Sequence, residues 1–234
     1  MQLNKYFTPG QKIRLKILRS ESGKGIFEAL TGFVEECRTG RLEVSLPYQV
    51  SEDEAYPFTE GMPLEVLAEN FGLGISLKAH YAGKIAPNLH RIEVDEQLQA
   101  FQRRTKKRTD STVGLRFSKG DRALKSLRER WRKNTELLHS GRDLSSLKSF
   151  SACNANLSAG GLRFEVATPV KIADIFLLLI ELHDGGPPVC ALAETVWTST
   201  DMAKSGKLVI GLQFIAVMEE DQKRIDDFVK RKTG

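Results

Sequence analysis

The stretch Asn156-Leu157-Ser158-Ala159-Gly160-Gly161 is an Asn-x-Ser-x-x-Gly string that leads directly into the strand-like Leu162-Arg163-Phe164. Glycines at positions 160 and 161 allow positive φ and a close approach of the backbone, so the string predicts a tight turn into a strand. The Asn156 amide and the Ser158 hydroxyl add hydrogen-bonding groups at that turn. Taken alone, such a string is most often only the entry to a β-hairpin.

Strand-like segments separated by short turns make up most of the chain. Gln11–Leu18 alternates polar and apolar side chains, as a half-buried strand does. Further strands are predicted at residues 25–34, 41–46, 62–68, 73–82, 89–94, 113–117, 162–166, 175–182, 189–197 and 208–215. This spacing predicts an all-β fold of barrels or sandwiches with added helices.

Three segments are compatible with helices. Residues 121–139 run from a candidate N-cap at Asp121 to a stop at Gly141 and carry apolar Leu124, Leu127 and Trp131 at helical spacing. Residues 219–230 open with acidic and close with basic side chains, which complements a helix dipole, and Ile225, Phe228 and Val229 form an apolar stripe. Residues 95–102 are polar and helix-compatible, as a linker would be.

A basic arm, Arg103-Arg104-Thr105-Lys106-Lys107-Arg108, precedes the second group of strands. Residues 102–133 contain thirteen Lys or Arg against three acids, although the whole chain has a net charge of only +5. The remainder is therefore about −5. This asymmetry predicts a localised anion site or a docking surface and argues against a uniformly basic nucleic-acid coat.

The arm and the turn together suggest a site for a guanine-bearing dianion. The guanidinium of an arginine can form two parallel hydrogen bonds with phosphate oxygens, donate hydrogen bonds to guanine O6 and N7, or stack on the base. Arg104 and Arg108, four residues apart, can grip a compact ligand from different sides. Asn156 and Ser158 can pair with the edge of a base. The arm supplies charge, and the turn supplies shape and base recognition.

The order Arg104-x-x-x-Arg108 followed by Asn156-x-Ser158-x-x-Gly161 resembles the signature of PilZ domains, receptors for cyclic di-GMP. Residues 193–197, 211–214 and the terminal helix also resemble that family. An all-β domain before the arm is similar to the two-domain flagellar-brake (YcgR-type) architecture. The resemblance implies an N-terminal split barrel at 1–98, a linker at 99–110 that contains the basic arm, and a PilZ-like barrel at 111–234 with a helical insertion at about 121–140.

The resemblance also implies roles for particular residues. Arg104 and Arg108 would grip phosphates and guanine, and Arg103 would contribute to the site and to holding a second, stacked ligand. Asn156 and Ser158 would read a guanine, and Gly160 and Gly161 would shape the turn. Cyclic di-GMP would draw the arm onto the barrel and reorient the two domains.

The implied function is control of motility or surface behaviour such as biofilm formation. The output would pass through a protein partner, for example the bacterial flagellar motor or secretion or polysaccharide machinery.

The segment 121–139 departs from the family pattern, because it lengthens the separation between the two motifs. Three roles are open to this insertion: capping the ligand, self-association through its apolar residues, or covering an end of the barrel. Covering is the favoured interpretation.

The sequence shows no motif for several classes of function. Cys37, Cys153 and Cys190 are too widely spaced for a disulfide framework or a CxxC site and indicate reduced thiols. The four histidines are scattered, and neither a Walker A box nor GxSxG is present. We therefore expect a cytoplasmic protein that is not an enzyme and has neither a metal, a cofactor nor a membrane span.

Two alternatives remain open. The basic segment 102–133, with Phe101, Phe117 and Trp131 interleaved, could serve a two-barrel protein that binds RNA or single-stranded nucleic acid. A structural adaptor without a small ligand is the third possibility. Salt dependence distinguishes nucleic-acid binding from cyclic di-GMP binding. The affinity for a polynucleotide falls steeply as salt rises, whereas the affinity for a dinucleotide held in a pocket depends less on salt.

Overall fold

Two antiparallel β-barrels account for most of the protein. The computed structural model describes residues 3–18, 25–48, 51, 54–70, 73–95, 97–101, 107–120, 122–141, 150–199 and 206–233. The chain folds as two compact units, Met1–Thr105 and Lys106–Gly234. The predicted class, all-β with added helices, is confirmed by the elements that the structure contains.

The first unit is a closed barrel of six strands. The strands are β1 (Lys12–Ile17), β2 (Ile26–Arg38), β3 (Arg41–Ser45), β4 (Pro63–Asn70), β5 (Leu73–Ala86) and β6 (Leu89–Val94), preceded by a 3-10 turn at Leu3–Lys5. They pair in the order β1–β4–β5–β6–β3–β2, and β2 pairs back onto β1. Apolar side chains of β1 are buried while the basic ones between them are at least partly exposed. Closure removes the unpaired edges that would invite aggregation.

A seventh strand, β7 (Gln99–Phe101), occupies part of the predicted linker at 95–102. The helix-compatible interpretation is wrong there, because β7 pairs antiparallel with the start of β5. A side chain at Gly74 would overlap the ring of Phe101, so the bare glycine backbone makes room for this contact. Pairing with a distant strand overrides the local preference of a short polar segment.

The second unit is also a closed six-stranded barrel. Its strands are β8 (Thr109–Gly120), β9 (Ser151–Ser158), β10 (Gly161–Val166), β11 (Ile175–Glu181), β12 (Val189–Thr198) and β13 (Leu208–Met218). All neighbours are antiparallel, in the order β8–β9–β10–β13–β12–β11, and β11 pairs back onto β8. The barrel interior is filled by apolar residues such as Leu157, Phe164, Ile180 and Phe214.

Strand β8 is longer than the sequence predicts. The expected strand covered only 113–117, but pairing with β9 starts at Thr109 and pairing with β11 continues to Gly120. The additional residues are mostly polar and lie where side chains are exposed or half-buried. Hydrogen bonds to two neighbouring strands, rather than apolar alternation, hold these ends in the sheet.

The predicted insertion forms helix α1 (Leu124–Leu138). Leu124, Leu127 and Trp131 are buried against β11 and β12, and the Trp131 indole N–H donates a hydrogen bond of 3.0 Å to the Cys190 carbonyl. The helix covers a wall of the barrel, so the covering role is supported, although the covered surface is not the barrel end. The predicted N-cap is wrong: the cap is Ala123, without a side-chain hydrogen bond, and Asp121 lies outside the described residues.

Helix α2 (Glu219–Thr233) confirms the predicted terminal helix. Its apolar stripe is buried, as is Asp221 in its first turn. The Arg224 guanidinium joins Asp221 at 2.7 Å to Asp184 at 2.8 Å, while His139 at the end of α1 lies 3.4 Å from Asp221. Burial raises the pKa of Asp221 above its usual value, and the arginine opposes that effect. None of the described helices is both long and apolar enough to cross a bilayer.

A buried histidine, His90, lies within an aromatic cluster of the first barrel. The Tyr81 hydroxyl is 3.2 Å from its Nδ1, and the Phe58 ring stacks on Tyr81 with a centroid distance of 4.5 Å. Burial, with a smaller contribution from the charge of Lys84, lowers the pKa of His90 to about 4. The imidazole is therefore neutral in the folded protein at neutral pH.

We expect His90 to make the first barrel less stable in acid. The unfolded chain binds a proton near pH 6.5 but the folded chain only near 4, so acid favours unfolding within this window. The free energy of unfolding should fall by up to about 1.4 kcal/mol per pH unit between those values. Denaturant unfolding of wild type and His90→Gln at pH 7, 6, 5 and 4 measures this. Identical pH profiles for the two proteins would contradict the assignment.

Candidate ligand-binding site

The predicted turn connects β9 to β10 in the second barrel. Asn156 lies two residues before the end of β9, Ser158 is its last residue, and Gly161 is the first residue of β10. On the neighbouring strand, Arg108 is exposed and immediately precedes β8. The antiparallel β8–β9 ladder therefore brings the end of the basic arm close to the turn. Arg103 and Arg104 lie outside the described residues.

The Ser158 hydroxyl is used inside the turn. Its side chain is buried, it donates to the Gly161 carbonyl at 3.2 Å and it accepts from the Gly160 N–H at 3.3 Å. These bonds tie the Ser158 side chain to two backbone groups of the turn. The structure thus gives Ser158 a positioning role, and its predicted contact with a guanine stays a prediction.

The two glycines of the turn have different roles. Gly161 has φ of +155°, and a Cβ on it would collide with the Leu212 carbonyl oxygen on β13. Gly160 has neither a positive φ nor a crowded Cβ position. Gly160 therefore does not use the positive φ that a glycine allows. Only Gly161 requires glycine, because only there does the backbone pack directly on the next strand.

Three polar side chains lie side by side on the outer face of β8, β9 and β10. Asp110 and Arg163 are the direct cross-strand partners of Asn156. The Asn156 amide nitrogen donates to the Asp110 carboxylate at 2.9 Å, and the Arg163 guanidinium is 3.6 Å from the same oxygen. Cross-strand partners share a face of the sheet, so the trio forms a polar row.

Two further residues extend this row. Gly211 on β13 is the partner of Arg163, and Trp197 on β12 is the partner of Gly211. The Trp197 indole lies over the bare Gly211 backbone and is 41% exposed. The outer row, defined as Asp110, Asn156, Arg163, Gly211 and Trp197, thus crosses five strands.

The outer row offers complementary chemistry to a flat, anionic ligand. An exposed indole presents a face for stacking, and a guanidinium next to it can bond phosphate or base. The Asn156 amide nitrogen is occupied by Asp110, which leaves the amide oxygen as an acceptor. Guanine presents its N1–H and N2 amino donors on the Watson–Crick edge, so the Asn156 amide oxygen can accept a hydrogen bond from it.

The sequence alone does not place Arg163 or Trp197 in the site. It predicts that Trp197 is a core or barrel-rim residue rather than a stacking surface for a ligand. A register shift between Thr195 and Trp197 brings the indole opposite Gly211, and bulges of this kind commonly re-aim a side chain. The signal that could have indicated Trp197 is the bare Gly211 on the strand that follows.

No metal centre accompanies the row within the part of the chain that the structure describes. There, no group of three or more His, Cys, Asp or Glu side chains is arranged to hold a metal ion.

Comparison with known families assigns the second unit. Residues 102–231 match the PilZ domain. The chain belongs to the PilZ family. The match spans the basic arm, the turn and both helices, so the resemblance inferred from the two motifs is confirmed. PilZ domains are receptors for cyclic di-GMP, and the family is not one of enzymes.

The solved structures that match this chain are distant in sequence. The Bacillus subtilis inhibitor of motility MotI/DgrA is 14% identical, with 96% of this chain and 97% of that chain covered and a TM-score of 0.38. Escherichia coli YcgR in complex with c-di-GMP is 11% identical, with 98% and 85% covered and a TM-score of 0.35. The K. pneumonia MrkH–c-di-GMP complex is 13% identical, with 94% and 86% covered and a TM-score of 0.34. No curated protein is significantly similar.

The two glycines of the turn provide a matched pair of substitutions. We expect Gly161→Ala to lower the free energy of unfolding by about 2–4 kcal/mol, because both the positive φ and the contact with Leu212 oppose a Cβ. Gly160→Ala should change it by less than about 1 kcal/mol. Urea unfolding of both variants tests the difference. Equal effects of the two substitutions would show that the strand contact at residue 161 does not control the turn.

Proposed function

We propose that this protein is a cyclic di-GMP receptor whose ligand lies on the outer row and is clamped by the basic arm. The observation that carries the proposal is the alignment of Asn156, Arg163 and Trp197 on one face of a PilZ barrel, next to the end of the arm. The row offers base recognition and stacking, and the arm offers charge. Binding rather than catalysis is the function of such a site.

Each predicted residue has a proposed role in the complex. Arg104 and Arg108 grip the phosphates and a guanine, while Arg103 supports a second, stacked ligand molecule. The Asn156 amide oxygen accepts from a guanine edge, and Trp197 stacks on a base. Ser158, Gly160 and Gly161 hold the turn that positions Asn156. Asp110 keeps the Asn156 amide oriented before the ligand arrives.

Ligand binding must change the contacts of Arg163. Its guanidinium is half-exposed and shares the Asp110 carboxylate with Asn156. A phosphate or guanine brought to this position competes with that carboxylate for the guanidinium. An exposed ion pair of this kind contributes roughly 0–1 kcal/mol, so its loss is a small cost compared with a charge-assisted bond to the ligand.

The position of the arm suggests how the signal is transmitted. The boundary between the two compact units falls between Thr105 and Lys106, within the basic arm. A ligand that draws the arm onto the second barrel thereby fixes the segment that connects the units. We propose that the resulting change in interdomain geometry is recognised by a protein partner in the cytoplasm, such as flagellar, secretion or polysaccharide machinery. Motility and surface behaviour would be the outputs.

Calorimetry with purified full-length protein tests the ligand assignment. Cyclic di-GMP should bind, whereas GTP and cyclic di-AMP should bind at least about tenfold more weakly. Arg104→Ala, Arg108→Ala and Arg163→Ala should each weaken cyclic di-GMP binding by at least about tenfold, since each removes a charge-assisted bond worth roughly 1.5–3 kcal/mol.

Arg116→Ala is the matched control. Arg116 is an exposed arginine on the outer face of β8, about 20 Å from Asp110 along the strand. Its substitution should leave cyclic di-GMP binding unchanged. Absence of binding by wild type would overturn the ligand assignment. Steeply salt-dependent binding of RNA or single-stranded DNA in its place would favour the nucleic-acid alternative.

A further inference from the structure

We propose that the groove between helix α1 and the outer face of β8 and β11 is a docking site for an acidic segment of a partner protein that also carries apolar side chains. This inference deepens the partner part of the proposed function and rests on that part alone. It does not require cyclic di-GMP binding. The α1 groove is lined by Arg116, Arg130, Asn134, Leu137, Leu177 and Leu179.

The α1 groove has an apolar floor and an open volume. Leu177 and Leu179 form the floor on β11, and Leu137 on α1 contributes a side wall that is 42% exposed. The cavity of about 280 Å³ lies at the small end of the range for ligand pockets, but it can take one or two apolar side chains of a docked segment. Covering the exposed Leu137 side chain beside this cavity with an apolar group of a partner is favourable.

The rim of the α1 groove is basic and lacks compensating acids. Arg116 on β8 and Arg130 on α1 form no ion pair with any residue that the structure describes, and the same holds for Lys133. Glu181, two residues beyond Leu179, lies 3.7 Å from the His183 imidazole instead. Two cations that have no acidic partner flank the apolar floor.

The arrangement of α1 separates its acids from the groove. With about 100° per residue, Arg130, Asn134 and Leu137 share one face, and Lys133 lies at its edge. Glu129 and Glu136 lie about 100° further around the helix, away from the groove. Because the charged side chains on the groove side of α1 are basic and the floor of the groove is apolar, the complementary partner is an acidic segment with one or two leucine-sized or phenylalanine-sized anchors.

The α1 groove is distinct from the outer row. Arg116 and Asp110 lie on the same face of β8, six residues apart, which is about 20 Å along the strand. A dinucleotide on the row therefore leaves the groove open. The leucine floor is complementary to the apolar side chains of a protein segment, which nucleic acid does not offer.

Fluorescence anisotropy with labelled peptides tests the proposal on the full-length protein without cyclic di-GMP. The probe is a twelve-residue peptide with a central Leu-Phe pair flanked by Glu and Asp. One counterpart replaces the acids with Lys, and another replaces Leu-Phe with Ser-Ser. We expect saturable binding of the acidic apolar peptide and at least about tenfold weaker binding of both counterparts.

Paired charge reversals locate the binding surface. Arg116→Glu/Arg130→Glu should weaken binding of the acidic apolar peptide by at least about tenfold. The control Lys125→Glu/Lys223→Glu changes the net charge equally, away from the groove, and should alter binding by less than about twofold. Leu137→Ser should weaken the acidic apolar peptide but not the weak residual binding of the Ser-Ser peptide.

Three results would overturn the proposal. They are no saturation of wild type up to 1 mM peptide, equal losses for the two charge-reversal pairs, and equal binding of the Lys peptide. Failure of cyclic di-GMP binding would leave these measurements unaffected, so the docking site and the messenger site are tested separately.

Discussion

The close packing of Gly161 on the β13 backbone is the constraint on which the site depends. Because a Cβ at this position would collide with the Leu212 carbonyl, the chain can enter β10 only in one way, and that entry fixes the register of β10 against both β9 and β13. The register in turn places Arg163 between Asn156 and Gly211. A shift of the strand register by one residue would turn every side chain of β10 to the opposite face of the sheet, and Arg163 would no longer lie in the outer row.

The Asp110 carboxylate repels an anionic ligand, but it also positions two residues of the outer row. It holds the Asn156 amide nitrogen, so that the amide presents its oxygen to a ligand, and it keeps Arg163 nearby until a stronger anion arrives. Both contacts lie at the solvent-exposed surface, where screening makes them weak. The side chains of the outer row are therefore positioned before the ligand binds, but only by weak contacts, which suits reversible binding of a messenger.

Much of the fold could be predicted from local sequence, because alternation and turn residues act locally. The strand of residues 12–17, the stripe of Ile225, Phe228 and Val229, and the turn at 156–161 all follow from such patterns. The strand β7, the full length of β8 and the position of Trp197 could not be predicted. Each depends on pairing with residues far away in the sequence, and a register shift in β12 decides the neighbour of the indole.

The two tryptophans of the chain allow the central claim, that cyclic di-GMP lies on the outer row, to be measured directly. Trp131 lies on the buried face of α1, whereas Trp197 is exposed on the row. In a titration of full-length protein followed by ¹⁵N NMR, with signals assigned through Trp197→Phe, we expect the Trp197 indole N–H signal to shift with ligand concentration while that of Trp131 stays in place. A Trp197 signal that does not move at saturating cyclic di-GMP would show that the ligand does not lie on the outer row.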